Sequence, residues 1–268
     1  MHSPVLKASI LIVNYKVSGL VEKCLDSIRE YTSDYEVLVH DNSPPNANLG
    51  FARANNLLIR KARGEYIVLL NPDTWVTEGW LERLIETAES DPAIGIVQPK
   101  LLRPNGLLDS TGHQYSFVYG FYLRGDRGSE RIDQGQYDSS TELQTCTFAA
   151  ALIKRKVLEK IGLLDEKMFL YCEDMEYCLR AGRRGWRVVY CPRSVVYHIR
   201  HGSASTVVKI SPWQIYFAYI QFKYFGLMPT LAFIFITITH MPVGVRGKDA
   251  SYIVKKLAII PRLKRMIT

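Results

Sequence analysis

Several common chemistries lack their usual marks in this sequence. No C-x-x-C pair occurs, and the five cysteines (Cys24, Cys146, Cys172, Cys178, Cys191) are an odd number, so neither a disulfide framework nor a thiolate zinc site is indicated. The first apolar run is followed by VNYKVSG, where Gly19 is the lone glycine; a phosphate-cradling loop wants more. Walker and nucleophile-elbow patterns are missing as well, and no internal repeat or low-complexity tract appears. Met1 to Lys7 lack the charged-then-apolar build of a signal peptide, which predicts a cytoplasmic catalytic part with reduced thiols. Acidic residues nearly vanish beyond position 206, where Asp249 stands against nine lysines and arginines. Residues 1–206 balance 25 basic with 25 acidic side chains, so the net charge of +8 belongs to the tail. A basic surface spread for nucleic acid is therefore not expected.

What is present is an ordinary globular composition, 47% hydrophobic and 22% charged, enough to bury a sizeable core. ASILIVNY (8–15) is a β-branched apolar run, and Ser18 then opens an amphipathic stretch with Leu20, Val21, Cys24, Leu25 and Ile28 on one face. The pattern recurs as YEVLVHD (35–41) before a helix from about Gly50 to Ala62, and as EYIVLLNPD (65–73) before one from about Glu78 to Glu89. Such alternation predicts an α/β fold with a mostly parallel, Rossmann-like central sheet and helices on both faces. Residues 104–142 are polar and glycine-rich, with aromatics at Tyr115, Phe117, Tyr119, Phe121 and Tyr122. They read as hairpins and a loop whose aromatics suit either a sugar or simple packing. Order returns with 146–162, a helix from about Asp174, and two β-like runs at 186–192 and 194–199.

In sheets of this kind ligands bind beyond the carboxyl ends of the strands, and Asn14, Asp41 and Asp73 each stand at such an end. Polar strand ends are also common turn formers, and Asn71-Pro72-Asp73 is an everyday turn sequence. Glu173, Asp174 and Glu176 at a helix start, with Arg180, Arg183 and Arg184 at its end, complement the helix dipole whatever else they do. Asp73 at a strand tip suits Mg²⁺ or Mn²⁺, which take oxygen ligands and leave positions for phosphates.

Taken together, VNYK, DNS, NLGFARANN, LLNPD, GLLDEKMFLYCEDMEYCLRAGRRGWRVVYCP and HIRHGS, from about Ala8 to Ser205, resemble glycosyltransferase family 2, in particular its rhamnosyltransferase-like branch. The resemblance implies an inverting GT-A fold and a nucleotide-sugar donor, a dTDP- or UDP-sugar. Asn-Pro-Asp would replace the family's Asp-x-Asp, with Asp73 on the metal and Asn71 against the diphosphate or ribose. Asp41 would reach the nucleotide base beside the backbone of Val13, Asn14 and Tyr15. Gly50 and Asn56 match the NxGF…N segment, where glycine allows close backbone approach and the asparagine orients the nucleotide loop. Asp174 would be the general base, Glu173 would hold the acceptor, and His198 would approach the metal or diphosphate. DNSPPNANLGF joins two motifs that the family usually separates by a further strand, so the sheet is expected to lack one edge strand; Leu58 stands where the family often has glycine.

The implied activity is transfer of rhamnose or another hexose to a saccharide or lipid-linked glycan in cell-surface polysaccharide synthesis. Transfer to a polyprenyl phosphate and a non-catalytic assembly partner are the other readings. Residues 1–206 are expected to form the catalytic domain and 207–268 a basic, aromatic-rich helical tail. Within the tail, 224–245 carry no charged residue, long enough in principle to span a bilayer, but Gly226 and Pro229 interrupt it and basic residues flank both sides. Trp213, Tyr216, Phe217, Ile220 and Tyr224 fall near one helical face, which predicts an interfacial helix on anionic lipid, peripheral or shallowly inserted at the cytoplasmic face of the membrane, with packing on the domain as the alternative.

Overall fold

The computed structural model describes residues 7–118, 121–200, 213–239, 263–264 and 266–267. Strands β1 (Ala8–Asn14) and β3 (Tyr66–Leu70) are parallel neighbours, and their alternating side chains feed two cores. Ile10, Ile12, Val68 and Leu70 pack against α1 (Ser18–Tyr31) and α3 (Trp80–Glu89). Leu11, Ile67 and Leu69 face the other way, onto α2 (Gly50–Lys61), α4 (Arg155–Ile161) and α5 (Glu173–Gly182). A period of two along each strand thus yields the three-layer sandwich. Leu58 is a buried member of the second core.

With β2 (Tyr35–Asp41), β4 (Thr74–Val76), β5 (Ile94–Leu102), β10 (Ala150–Lys154) and β11 (Arg187–His198), the sheet runs in the order β2-β1-β3-β10-β5-β11-β4. β2 is its edge, and no strand lies beyond it among the described residues. The parallel expectation holds for β2, β1 and β3 and for β5 with β11, but β10 is antiparallel to both its neighbours. The reason is where the chain returns. β5 leaves the sheet at its carboxyl edge, and β10 starts at that same edge, with Ala150 opposite Leu70. The excursion between them, carrying β6 (Leu108–Ser110), the β7–β8 hairpin (His113–Val118 and Phe121–Asp126) and β9 (Thr141–Leu143), therefore begins and ends over the edge where ligands bind in α/β sheets.

The two β-like runs expected at 186–192 and 194–199 are one strand. β11 pairs with β5 throughout, but Cys191 faces Pro99 while Val195 faces Lys100, so the residues between them bulge out. Pro192, without an N–H to give to the ladder, stands in that bulge.

The tail is not set apart from the domain. α6 (Trp213–Ile220), a π-helical turn (Gln221–Phe225) and α7 (Leu227–Thr239) form a third cluster with Met168, Cys172 and Met175. Tyr216, Phe217 and Ile220, predicted to face lipid, are buried, and the Tyr224 hydroxyl donates to Glu176 Oε1 at 2.7 Å. The aromatic face of α6 packs on protein because Met168, Cys172 and Met175 offer it an apolar seat. Of the expected apolar stretch 224–245, positions 240–245 lie outside the described residues, as do most of the basic positions after it. Among the described residues no helix is long and apolar enough to cross a membrane.

Candidate active site

At the carboxyl edge the first two strands end on a polar pair. Asn14 and Asp41 are register partners, and the Asn14 side-chain amide donates to Asp41 Oδ1 at 3.1 Å while its carbonyl accepts from Val17 N–H at 3.1 Å. Hydrogen bonds from Ser43, side chain and backbone, and from Asn14 hold the Asp41 carboxyl below the ordinary range. Asp41 is exposed and ionised, flanked by the half-buried Val13 and Tyr15, a position from which a carboxylate can accept from N–H or O–H groups of a ligand.

Asn71-Pro72-Asp73 links β3 to β4, and its geometry comes from both. Asn71 N–H donates to Ala149 O at 2.8 Å, tying the tripeptide to the approach of β10. β4 then pairs with the end of β11, placing His198 opposite Thr74, and Ile199 N–H donates to Asp73 O at 3.0 Å. The consequence is a buried pair, His198 Nε2 to Asp73 Oδ1 at 3.4 Å.

On its other nitrogen, His198 meets a residue the sequence did not single out. Nδ1 lies 2.8 Å from Asp109 Oδ2, on β6. Burial opposes a charge on His198, but the hydrogen bonds to Asp109 and Asp73 prevail and raise it to about 9. Burial likewise opposes the Asp109 charge, and His198, Arg200 and Arg103 outweigh it, so its pKa is lowered. Arg103 and Arg200 each approach Asp109 Oδ1 at 3.5 Å. A lone aspartate in a glycine-rich excursion has no spacing signal; its return to the sheet edge is what reveals it.

The donor set can be tested for a cation. Among the described residues no three His, Cys, Asp or Glu side chains are grouped to hold a metal ion. Asp73 and His198, whose Nε2 must give up its proton to take the ion, supply two ligands of suitable chemistry, which fits a cation that takes the rest of its shell from water and phosphate oxygens. Asp109 on the far nitrogen is the partner such a histidine commonly has.

Asp174 and Glu173 open α5, Glu173 buried and Asp174 half-buried, with Met175 N–H donating to Asp174 Oδ1 at 2.7 Å. Tyr171 and Cys172 ahead of them have φ of 74° and 69°, left-handed values that non-glycine residues hold only when the surroundings enforce them. α5 is linked to the strand edge through the segment before β10. Cys146 Sγ lies 3.6 Å from Cys178 Sγ, the Phe148 and Tyr177 rings meet edge-on at 6.0 Å, and burial, then Cys178 and last the Asp174 charge push the Cys146 thiol up.

Gly50 and Asn56, expected at the nucleotide, both contact the segment ahead of α5, and Gly50 O also accepts from the Asn42 side-chain amide beside Asp41 at 3.2 Å. Gly50 has φ +76°, and a Cβ there would sit 2.3 Å from Phe169 O. The Asn56 amide donates to Leu164 O at 3.0 Å and Glu166 Oε1 at 2.9 Å, and its carbonyl accepts from Leu164 N–H at 3.0 Å. Both clamp the segment leading to Asp174. Of the excursion's aromatics, Tyr115 packs on Phe225 with ring centroids 5.9 Å apart; Phe117, Tyr119, Phe121 and Tyr122 lie outside the described side chains.

The carboxyl edge of the sheet thus carries Asn14, Asp41, Asp73 and His198. The family model described as "Glycosyltransferase like family 2" matches residues 8–211. The chain belongs to this family. Over 183 residues it is 26% identical to the N-acetylglucosaminyl-diphospho-decaprenol L-rhamnosyltransferase of Mycobacterium tuberculosis, covering 61% of this chain and 59% of that protein. It is 30% identical over 174 residues to the O-antigen biosynthesis protein RfbC of Myxococcus xanthus, covering 62% of this chain but only 13% of that one. It is 23% identical over 240 residues to the rhamnosyltransferase WbbL of Escherichia coli, 77% of this chain and 89% of that protein. This family-2 chain thus spans less than two thirds of the first two relatives. The structure resembles the S. aureus TarS fragment in complex with UDP-GlcNAc (TM-score 0.61, 13% identity, 96% of this chain and 81% of that one). It also resembles a Pyrobaculum calidifontis mannosyltransferase in complex with GDP-Man and Mn2+ (TM-score 0.53, 16% identity, 97% and 73%). These likenesses establish the GT-A fold.

Proposed function

We propose that this family-2 chain is an inverting glycosyltransferase that moves rhamnose or another hexose from a dTDP- or UDP-sugar to a saccharide or lipid-linked glycan during cell-surface polysaccharide synthesis. The observation that carries the reading is the Asp73–His198 pair at the strand edge of a family-2 domain, on the same edge as Asp41 and beside the helix that opens on Asp174. The lipid-linked acceptor is supported by the diphospho-decaprenol in the name of the M. tuberculosis relative, and a peripheral site of work at the cytoplasmic face of the membrane goes with it. Retention of Asp73, Asp174 and His198 speaks against a non-catalytic assembly partner.

Asn14 and Asp41 hold the nucleoside end of the donor, with the Val13–Tyr15 backbone beside it, and Asn71 lies toward the diphosphate. A divalent cation held by Asp73 and His198 would neutralise charge on the leaving diphosphate. Asp174 accepts the proton of the acceptor hydroxyl as its oxygen bonds to the anomeric carbon. The bond from that carbon to the diphosphate oxygen breaks on the opposite face, so the anomeric configuration inverts and the nucleoside diphosphate leaves with the electron pair. Glu173 holds the acceptor in line.

The test is a screen of nucleotide sugars with Mg2+ or Mn2+, reading donor binding, slow donor hydrolysis and transfer. Asp73→Ala is expected to lose metal-dependent donor binding. Asp174→Asn is expected to keep donor binding and lose transfer by roughly 10²–10⁴-fold, the usual contribution of a positioned base. Full transfer by Asp174→Asn would remove the base.

A further inference from the structure

α7 has two apolar faces, and protein covers one of them. Thr230 and Phe233 are buried, with the Phe233 ring 5.0 Å from that of Phe217 on α6. Leu227, Met228 and Leu231 point away from this contact, at 58%, 74% and 49% exposure. At 3.6 residues per turn these three positions fall within about 100° of arc, opposite Phe233. No charged residue occurs between Leu227 and Thr239. An exposed stripe of this kind on an uncharged helix marks a contact with another apolar phase.

We propose that this outward face of α7 seats the protein on an anionic bilayer, with the helix lying in the interface. Thirteen helical residues extend about 20 Å, short of the roughly 30 Å of a hydrocarbon core. Charge selects the occupant: after Thr239 the sequence carries Arg246, Lys248, Lys255, Lys256, Arg262, Lys264 and Arg265 against Asp249, a complement for anionic headgroups. A symmetric contact with a second copy would instead bring two such cationic segments to one interface. The lipid-facing surface is thus α7, one helix beyond the aromatic stripe of α6.

Seating α7 also sets the position of α5. Lys223 Nζ and Tyr224 OH both donate to Glu176 Oε1 at 2.7 Å, and Tyr216 OH accepts from Phe169 N–H at 3.1 Å. The segment leading into α7 is in this way fastened to Glu176 in the first turn of α5 and to Phe169 ahead of it, so that seating α7 sets the height of the acceptor site above the surface. That last consequence rests on the transferase reading; vesicle binding does not.

The test uses the full chain and the double variant Met228→Gln/Leu231→Gln. Wild-type protein is expected to co-sediment with phosphatidylcholine vesicles containing phosphatidylglycerol, less with pure phosphatidylcholine, and less as salt rises. The variant is expected to bind at least about tenfold more weakly, as loss of two apolar contacts implies, with an unchanged Tm because both side chains are exposed. Transfer to a water-soluble acceptor is expected to be retained and transfer to a vesicle-embedded one to fall. The proposal is overturned if wild-type protein ignores anionic vesicles, if the variant binds them equally, or if the wild type is a dimer that the variant dissociates. Vesicle binding lost in the variant, with no transfer from any donor, upholds the surface and removes the transferase reading.

Discussion

The imidazole of His198 bridges two carboxylates, Asp109 on Nδ1 at 2.8 Å and Asp73 on Nε2 at 3.4 Å. Asp109 is the shorter contact and comes from the excursion after β5, so a strand-end histidine owes its orientation to a segment with no recognisable motif. Replacing Asp109 by Asn keeps the shape and removes the charge. The His198 titration midpoint is then expected to move down from about 9 by roughly one pH unit or more, read from the imidazole NMR signals against pH. An unmoved midpoint would mean that Asp73 alone holds the proton.

The same proton links pH to stability. The folded pKa of His198 is raised from 6.5 to about 9, so the folded state binds a proton that the unfolded chain releases above about 6.5. This stabilisation is complete below pH 6.5 and disappears as pH rises through 9. Tm is expected to fall by roughly 5 °C or more between pH 6.5 and pH 9.5, and the fall should shrink in His198→Gln. Equal pH slopes for the two proteins would exclude His198 as its source.

Glu176 is fully buried, and Arg180, Lys223 and Tyr224 converge on its carboxylate. Burial disfavours a charge on Lys223, but the hydrogen bond to Glu176 prevails and its pKa is raised. Lys223→Met removes one of two cations from a buried anion. Because Arg180 remains and the lysine is 32% exposed, the expected cost is about 1–3 kcal/mol, below that of a fully buried pair. Faster amide exchange over 213–239 in the variant would locate the loss where α6 docks on α5; exchange unchanged there would mean that Glu176 does not anchor the tail.

How much of this was legible follows from what periodicity can encode. Alternation fixed the faces of β1 and β3 and so put Asn14, Asp41 and Asp73 at one edge, because a strand end is a property of the run itself. The direction of β10 was not legible: Ala150-Ala151-Leu152-Ile153-Lys154 pairs equally well either way, and only the return point of the excursion decides. The stripe on α6 was legible as apolar but not as to its partner, since helical spacing cannot distinguish Met168 and Met175 from lipid. Asn56 was found through its motif, but its three hydrogen bonds to residues 164 and 166 join positions far apart in sequence.

Gly50 allows a prediction with its own control. An alanine at φ +76° is strained, and its Cβ would sit 2.3 Å from Phe169 O, so either α2 or the segment before Asp174 must shift. Gly106 has a comparable φ of +81°, and a Cβ there would meet nothing within 4 Å, so Gly106→Ala carries the backbone strain alone, about 1–2 kcal/mol. Gly50→Ala is expected to cost more than Gly106→Ala by roughly 1–3 kcal/mol, as measured by denaturant unfolding. If the 164–172 segment is what yields, kcat falls while donor KM holds, because Asn14 and Asp41 are untouched and Asp174 is displaced. If α2 yields instead, Asn42 loses its 3.2 Å hydrogen bond to Gly50 O and donor KM rises. Equal stability and kinetics in the two variants would show that the Gly50–Phe169 approach does not position the acceptor side of the site.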